Sequence, residues 1–175
     1  MKRFLALLTV SAMFAACSGP AEQSAEPAEQ ETIPAEESME LETEAVEETP
    51  EAVTLTLYTV GETMAEMAYE PSRLSVPAGA EVTLILENQA TAEAMIHNAV
   101  IIEAGKQKEV AEAGLEAGPD NEYLPESEFI VAATDLAQPG ETVEVTFTAP
   151  EKKGTYQYIC TYPGHLAMKG IFMVK

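Results

Sequence analysis

The 175-residue chain sets 30 Asp and Glu against 9 Lys and Arg, a formal net charge of −21, and this excludes nucleic acid as a partner. Apolar residues make up 46% of it, enough for one packed domain and an appendage. The charge is uneven: no Lys or Arg falls between Arg3 and Arg73, while Glu recurs from Glu22 to Glu51.

Lys2 and Arg3 open the chain, and the apolar run Phe4 to Ala16 ends in small residues. The run is too short to span a bilayer and reads as a signal peptide over residues 1–16. Phe14-Ala15-Ala16-Cys17 resembles a bacterial lipoprotein cleavage site, which implies that Cys17 becomes the first mature residue and carries acyl chains. The plainer alternative is an ordinary signal peptide followed by an incidental Cys. Residues 17–52 are rich in Ala, Glu and Pro, with too little apolar surface to offset the entropy of ordering. They are expected to form a disordered tether, with a solvated helix over Glu36–Glu48 as the competing expectation. Ser18 after the lipid-bearing Cys is compatible with the outer membrane, the domain facing the periplasm or cell surface.

From Val53 the texture changes. Val53, Leu55 and Leu57 alternate with Thr54, Thr56 and Tyr58; Val82, Leu84 and Leu86 form a second run after Pro77-Ala78-Gly79. Ala99–Ile102 and Phe129–Ala132 are continuous apolar stretches. Val143, Val145 and Phe147 alternate with Glu144, Thr146 and Thr148, and Tyr156–Cys160 and Ile171–Val174 close the chain. Period-two alternation between Pro and Gly turns predicts an antiparallel, all-β Greek-key sandwich over residues 53–175. Lys106–Ala117 is the exception, a short helix in a long connection.

The only histidines are His97 and His165, and Cys160 is the only Cys besides Cys17. Cys160, His165 and Met168 share the loop Cys160-Thr161-Tyr162-Pro163-Gly164-His165-Leu166-Ala167-Met168, and His97 stands just before the apolar run at Ala99. Two imidazoles and a thiolate in a near-trigonal plane, with a weak axial thioether, suit copper in both oxidation states. Structural zinc sites use four strong ligands, commonly with CxxC spacing, and a binuclear copper centre needs a second Cys in the loop. Pro163 and Gly164 allow the tight turn that aims His165 at the metal. Asn98 and Tyr162 are placed to direct backbone N–H groups at the sulfur and tune it.

These segments resemble those of the azurins, within the cupredoxin or blue-copper family. The resemblance rests on Cys-Thr-Tyr-Pro-Gly-His with Met-Lys-Gly following, and on Met95-Ile96-His97-Asn98. It extends through Gly114-Leu115, Asn121-Glu122-Tyr123-Leu124 and Pro139-Gly140-Glu141. The amino terminus is similar to that of lipid-modified azurins. The resemblance implies a sandwich of about eight strands, one copper ion held by His97, Cys160 and His165 with Met168 axial, and Asn98 steadying the loop. Three departures stand out: two residues rather than three separate His165 from Met168, Ile96 replaces a glycine, and the amino-terminal disulfide is missing.

The implied role is a non-enzymatic carrier of single electrons, monomeric, exchanging with redox proteins such as a c-type cytochrome or a terminal oxidase or reductase. Exchange runs through an apolar patch around His165, with Met64 or Met67, Met95, Tyr162, Pro163 and Leu166 as candidates. The alternative is a module for copper delivery or storage. A copper nitrite reductase needs a second, histidine-rich site, for which the chain has no spare histidine.

Overall fold

A computed structural model describes residues 51–175. The signal peptide, Cys17 and the tether up to residue 50 lie outside the described residues. The first strand among the described residues is β1 at Val53–Val60, followed by β2 (Ala68–Glu70), β3 (Arg73–Val76), β4 (Glu81–Asn88) and β5 (Val100–Glu103). Next come α1 (Gln107–Ala117), a 3₁₀ turn (Pro119–Asn121), β6 (Ile130–Ala133), β7 (Thr142–Thr148), β8 (Gly154–Ile159) and β9 (Lys169–Val174).

The strands form two sheets, one of four in the order β2-β1-β4-β7 and one of five in the order β3-β9-β8-β5-β6. The described residues thus hold nine strands, in keeping with the expected sandwich of about eight. The two that sequence reading passed over, β2 and β3, have three and four residues, too few to establish an alternation. They carry the chain from one sheet to the other: β2 pairs with β1, and β3 with β9. That switch also corrects the expectation of purely antiparallel pairing. Because the chain returns to the first sheet only at β4, β1 and β4 run parallel, with Leu55 opposite Leu84 and Leu57 opposite Leu86. β3 and β9 are likewise parallel.

The inward residues of both sheets meet in one core. Leu57, Val82, Leu84 and Leu86 come from the first sheet, and Ile101, Tyr158, Phe172 and Val174 from the second, all buried. Each such side chain removed from water contributes about 1.5–3 kcal/mol before entropy is counted. Val100, Ile102 and Ile159 face the other side of the second sheet, where Val110 of α1 covers them. β5 is therefore buried on both faces, which explains why Ala99–Ile102 is continuously apolar rather than alternating.

α1 follows the predicted helix closely. Its last turn ends at Gly118, whose N–H bonds the Gly114 carbonyl from a left-handed φ of 72°. Gly114 itself is a close-approach site: a Cβ there would lie 2.6 Å from the Tyr123 carbonyl oxygen and 3.3 Å from Thr161 Cβ. The absent side chain lets the helix press against the loop that carries the candidate ligands. Among the described residues, no helix is long and apolar enough to cross a membrane.

Candidate metal centre

The loop between β8 and β9 is built from two consecutive turns. Tyr162-Pro163-Gly164-His165 closes with the His165 N–H bonding the Tyr162 carbonyl at 3.0 Å, and Gly164 takes φ 86°. Pro at the second position and a positive-φ Gly at the third are what a type II turn requires. His165 to Met168 then closes with a 2.8 Å bond from the Met168 N–H to the His165 carbonyl. The Cys160 N–H reaches the Met168 carbonyl at 3.3 Å and ties the two ends of the loop together.

His97 is held from a different direction. Its backbone bridges to Ala137 through bonds of 3.2 and 2.7 Å. Behind it, the buried Asn88 side chain donates to the carbonyls of Met95 at 2.7 Å and Ala137 at 3.0 Å, and accepts from Thr59 Oγ1 at 2.8 Å. Asn88 thus fixes the segment that delivers the first histidine. Nothing in its sequence position, at the end of an alternating strand, signals that role.

These supports bring three donor atoms together. His97 Nδ1 and His165 Nδ1 are 3.2 Å apart, and Cys160 Sγ lies 3.8 Å from the former and 3.7 Å from the latter. Among the described residues this is the one His, Cys and carboxylate grouping able to hold a metal ion. A point equidistant from three atoms so spaced lies about 2.1 Å from each, within the range of about 2.0–2.3 Å at which imidazole and thiolate bind a metal. The donors already have the spacing that an ion between them requires. All three residues are buried, and so is Met168, which joins the same core as Cys160.

Burial sets the protonation states. It pulls His97 down to about 4, with the neighbouring His165 adding to the effect, so its imidazole is neutral at neutral pH. Burial also lowers His165, against an opposing pull from the Ile96 carbonyl. Cys160 is pushed up to about 11 by burial, although the N–H groups of Asn98 and Tyr162 and the Tyr69 hydroxyl all favour its anion. The pocket therefore offers two ready lone pairs and a thiol whose proton a cation must displace. Ligation through Nδ1 leaves the ring proton of His97 on Nε2, the one buried side-chain N or O atom without a hydrogen-bond partner among the described residues. The polar engagement of that ring lies wholly on its Nδ1 side.

The backbone of Asn98 and Tyr162 favours the Cys160 anion. The Asn98 side chain does more, bonding both the N–H and the hydroxyl of Thr161. Thr161 and Tyr69 had no signal in the sequence, because their partners are remote in the chain.

Around the loop, Leu166 is exposed and Tyr162 and Pro163 are half-buried. Met64, Leu115 and Leu166 are the exposed large apolar side chains among the described residues. All three border this loop: Met64 Cε reaches over Gly164, and Leu115 and Leu166 line a shallow groove with Tyr162 and Pro163. Met95 does not belong to that surface. It is 3% exposed, turned into the core by the Asn88 bond to its carbonyl and by its own N–H on the Ala92 carbonyl. Met67 is buried as well.

The family model for copper-binding proteins of the plastocyanin/azurin family matches residues 56–175. The chain belongs to this family. It is 43% identical over 120 residues to auracyanin-A of Chloroflexus aurantiacus, covering 66% of this chain and 72% of that protein. Azurin iso-2 of Methylomonas sp. strain J is 35% identical over 119 residues, 65% of this chain and 90% of the relative. The solved structure of auracyanin A, described as a "blue" copper protein, superposes with a TM-score of 0.63 at 41% identity, covering 71% of this chain and 99% of that one. The cofactor of this cupredoxin is copper, and the soft thiolate and two imidazoles fit it.

Proposed function

We propose that the protein is a blue-copper electron carrier whose copper would be held by His97, Cys160 and His165, with Met168 as a weaker fourth ligand. The carrying observation is the 3.2, 3.7 and 3.8 Å triangle of donor atoms, already at the spacing of a metal-bound set. Copper held there would supply a centre for one-electron exchange. The protein's share is to hold the donors so firmly that little moves when the charge changes. The loop turns fix His165 and Met168, Asn88 fixes the His97 segment, and complete burial keeps water from the plane. Both histidines are used in this one site, leaving none for a second, catalytic copper.

Electrons exchange through the edge of His165, beneath the surface of Met64, Tyr162, Pro163, Leu115 and Leu166. Exposed apolar side chains gathered in one place mark a docking surface. The acidic chain steers basic partners such as a c-type cytochrome, and this attraction weakens with salt. Cys17 tethers the exported domain by acyl chains, in the outer membrane with the domain facing the periplasm or cell surface. The lipoprotein-like Phe14-Ala15-Ala16-Cys17 supports this reading, and Cys17→Ala is expected to release the protein from the membrane fraction.

The deciding experiment is an optical and EPR spectrum of the copper-loaded domain beside its Cys160→Ser variant. An intense thiolate-to-copper band, bleached reversibly by reduction and absent from the variant, is expected. A colourless wild-type complex sinks the assignment.

A further inference from the structure

Tyr69 belongs to β2, the short edge strand of the first sheet, yet it is only 3% exposed. Its ring packs edge-on against Tyr158, with centroids 5.1 Å apart and planes at 79°. Phe at this position supplies the same apolar area with no polar atom to bury. A buried hydroxyl is costly unless it is bonded. The two tyrosines send their hydroxyls in different directions. Tyr158 donates to the Pro71 carbonyl at 2.6 Å, in the turn between β2 and β3. Tyr69 donates to the carbonyl of Asn98.

Asn98 is the residue through which the two ligand segments are joined. Its N–H acts on Cys160 Sγ, and its side-chain oxygen and nitrogen both engage Thr161, next to that sulfur. Its carbonyl is the remaining polar group, and Tyr69 occupies it. The same hydroxyl is among the groups that favour the Cys160 anion. A hydroxyl from the opposite sheet thereby holds the peptide that joins the two ligand segments.

We propose that Tyr69 is a positioning residue for the copper thiolate: its hydroxyl, donating to the Asn98 carbonyl, fixes the residue whose side chain locks Thr161 beside the metal-binding sulfur. The proposal rests on the copper-centre reading. Hydrogen bonds to a thiolate withdraw charge from it and weaken its donation to the oxidised metal, which raises the reduction potential. Removing the donor acts in the reverse sense.

The test is the reduction potential and the charge-transfer band of the copper-loaded domain for Tyr69→Phe, Tyr69→3-fluorotyrosine and Tyr158→Phe. Tyr69→Phe is expected to keep copper, lower the potential and move the band. The fluorinated phenol is a stronger donor and is expected to raise the potential. Tyr158→Phe deletes a hydroxyl of the same ring pair that points away, and it is expected to leave both readings at the wild-type values. A merely structural role for Tyr69 changes the melting temperature of Tyr69→Phe without moving the potential or the band. Should that variant fail to fold, the fluorotyrosine form carries the test, and an unmoved potential there overturns the proposal. A blue wild-type complex with wild-type readings in both Tyr69 variants removes Tyr69 from the mechanism and leaves the copper centre standing; a colourless wild type overturns both.

Discussion

Asn98 and Thr161, 63 positions apart, exchange two hydrogen bonds: Asn98 Nδ2 donates to Thr161 Oγ1 at 2.9 Å, and the Thr161 N–H donates to Asn98 Oδ1 at 3.0 Å. Both residues are buried, and each directly follows a candidate ligand, His97 and Cys160. The pair locks the strand-end histidine to the start of the ligand loop. Asn98→Ala leaves the Thr161 N–H and hydroxyl buried without these partners, and the loss is expected to be about 2–4 kcal/mol. Urea unfolding of Asn98→Ala, Thr161→Val and the double variant checks it. Simple additivity of the two single losses would show that the pair is not coupled.

Met168→Leu preserves volume in a buried position while removing the sulfur. Copper is expected to stay bound, because three strong donors remain. The potential is expected to rise, because the oxidised ion loses an electron donor. Voltammetry and copper content measure both. Complete loss of copper would show that the thioether is an essential ligand rather than a weak one.

Gly170 lies opposite Tyr158 in the β8–β9 pairing, and a Cβ there would lie 2.1 Å from the ring. Tyr158 cannot simply turn aside, being buried against Tyr69 and bonded to the Pro71 carbonyl. Gly170→Ala is expected to cost more than about 3 kcal/mol in chemical unfolding, the upper end for overpacking. Shrinking the ring with Tyr158→Leu in the same chain is expected to recover part of that loss. A single-variant cost below about 1 kcal/mol would mean that the ring has room to move.

Glu62 gathers the N–H groups of Thr91 and Ala92 and the Thr91 hydroxyl on its carboxylate, at 2.9–3.1 Å. The two backbone donors hold its pKa below the ordinary carboxylate value. A folded-state value below the unfolded one means that the carboxylate stabilises the fold above the ordinary carboxylate range. That contribution disappears as pH falls through the depressed folded value. The stability difference between wild type and Glu62→Gln is therefore expected to be greatest near neutrality and to shrink with acid. Melting curves of both proteins across that range test the sign, and a difference that grows on acidification contradicts it.

The ligands were legible in the sequence because chemistry left few choices. Two histidines and one domain thiol, with Met168 at the end of the same short loop, allow one copper set. The strands that carry the core were legible where alternation ran long enough, as in β1, β4 and β7. β2 and β3 are too short for a period to register, and the parallel pairs follow from the sheet switch those strands make. Met95 misled because a methionine beside a ligand looks the same whether it faces water or the core; the Asn88 side chain decides it, from seven positions earlier. Asn88, Thr161 and Tyr69 act through partners that only the folded chain brings near, so no local pattern announces them.

The hydrogen bond from Cys160 to Met168 closes the ligand loop upon itself. Three of the four proposed ligands therefore travel together on a cassette whose two ends leave side by side, onto the adjacent strands β8 and β9. Such a segment can change length or composition without disturbing the register of the sandwich beneath it. The interval between His165 and Met168 becomes a dial on the metal's properties, set apart from the strands that give the domain its stability.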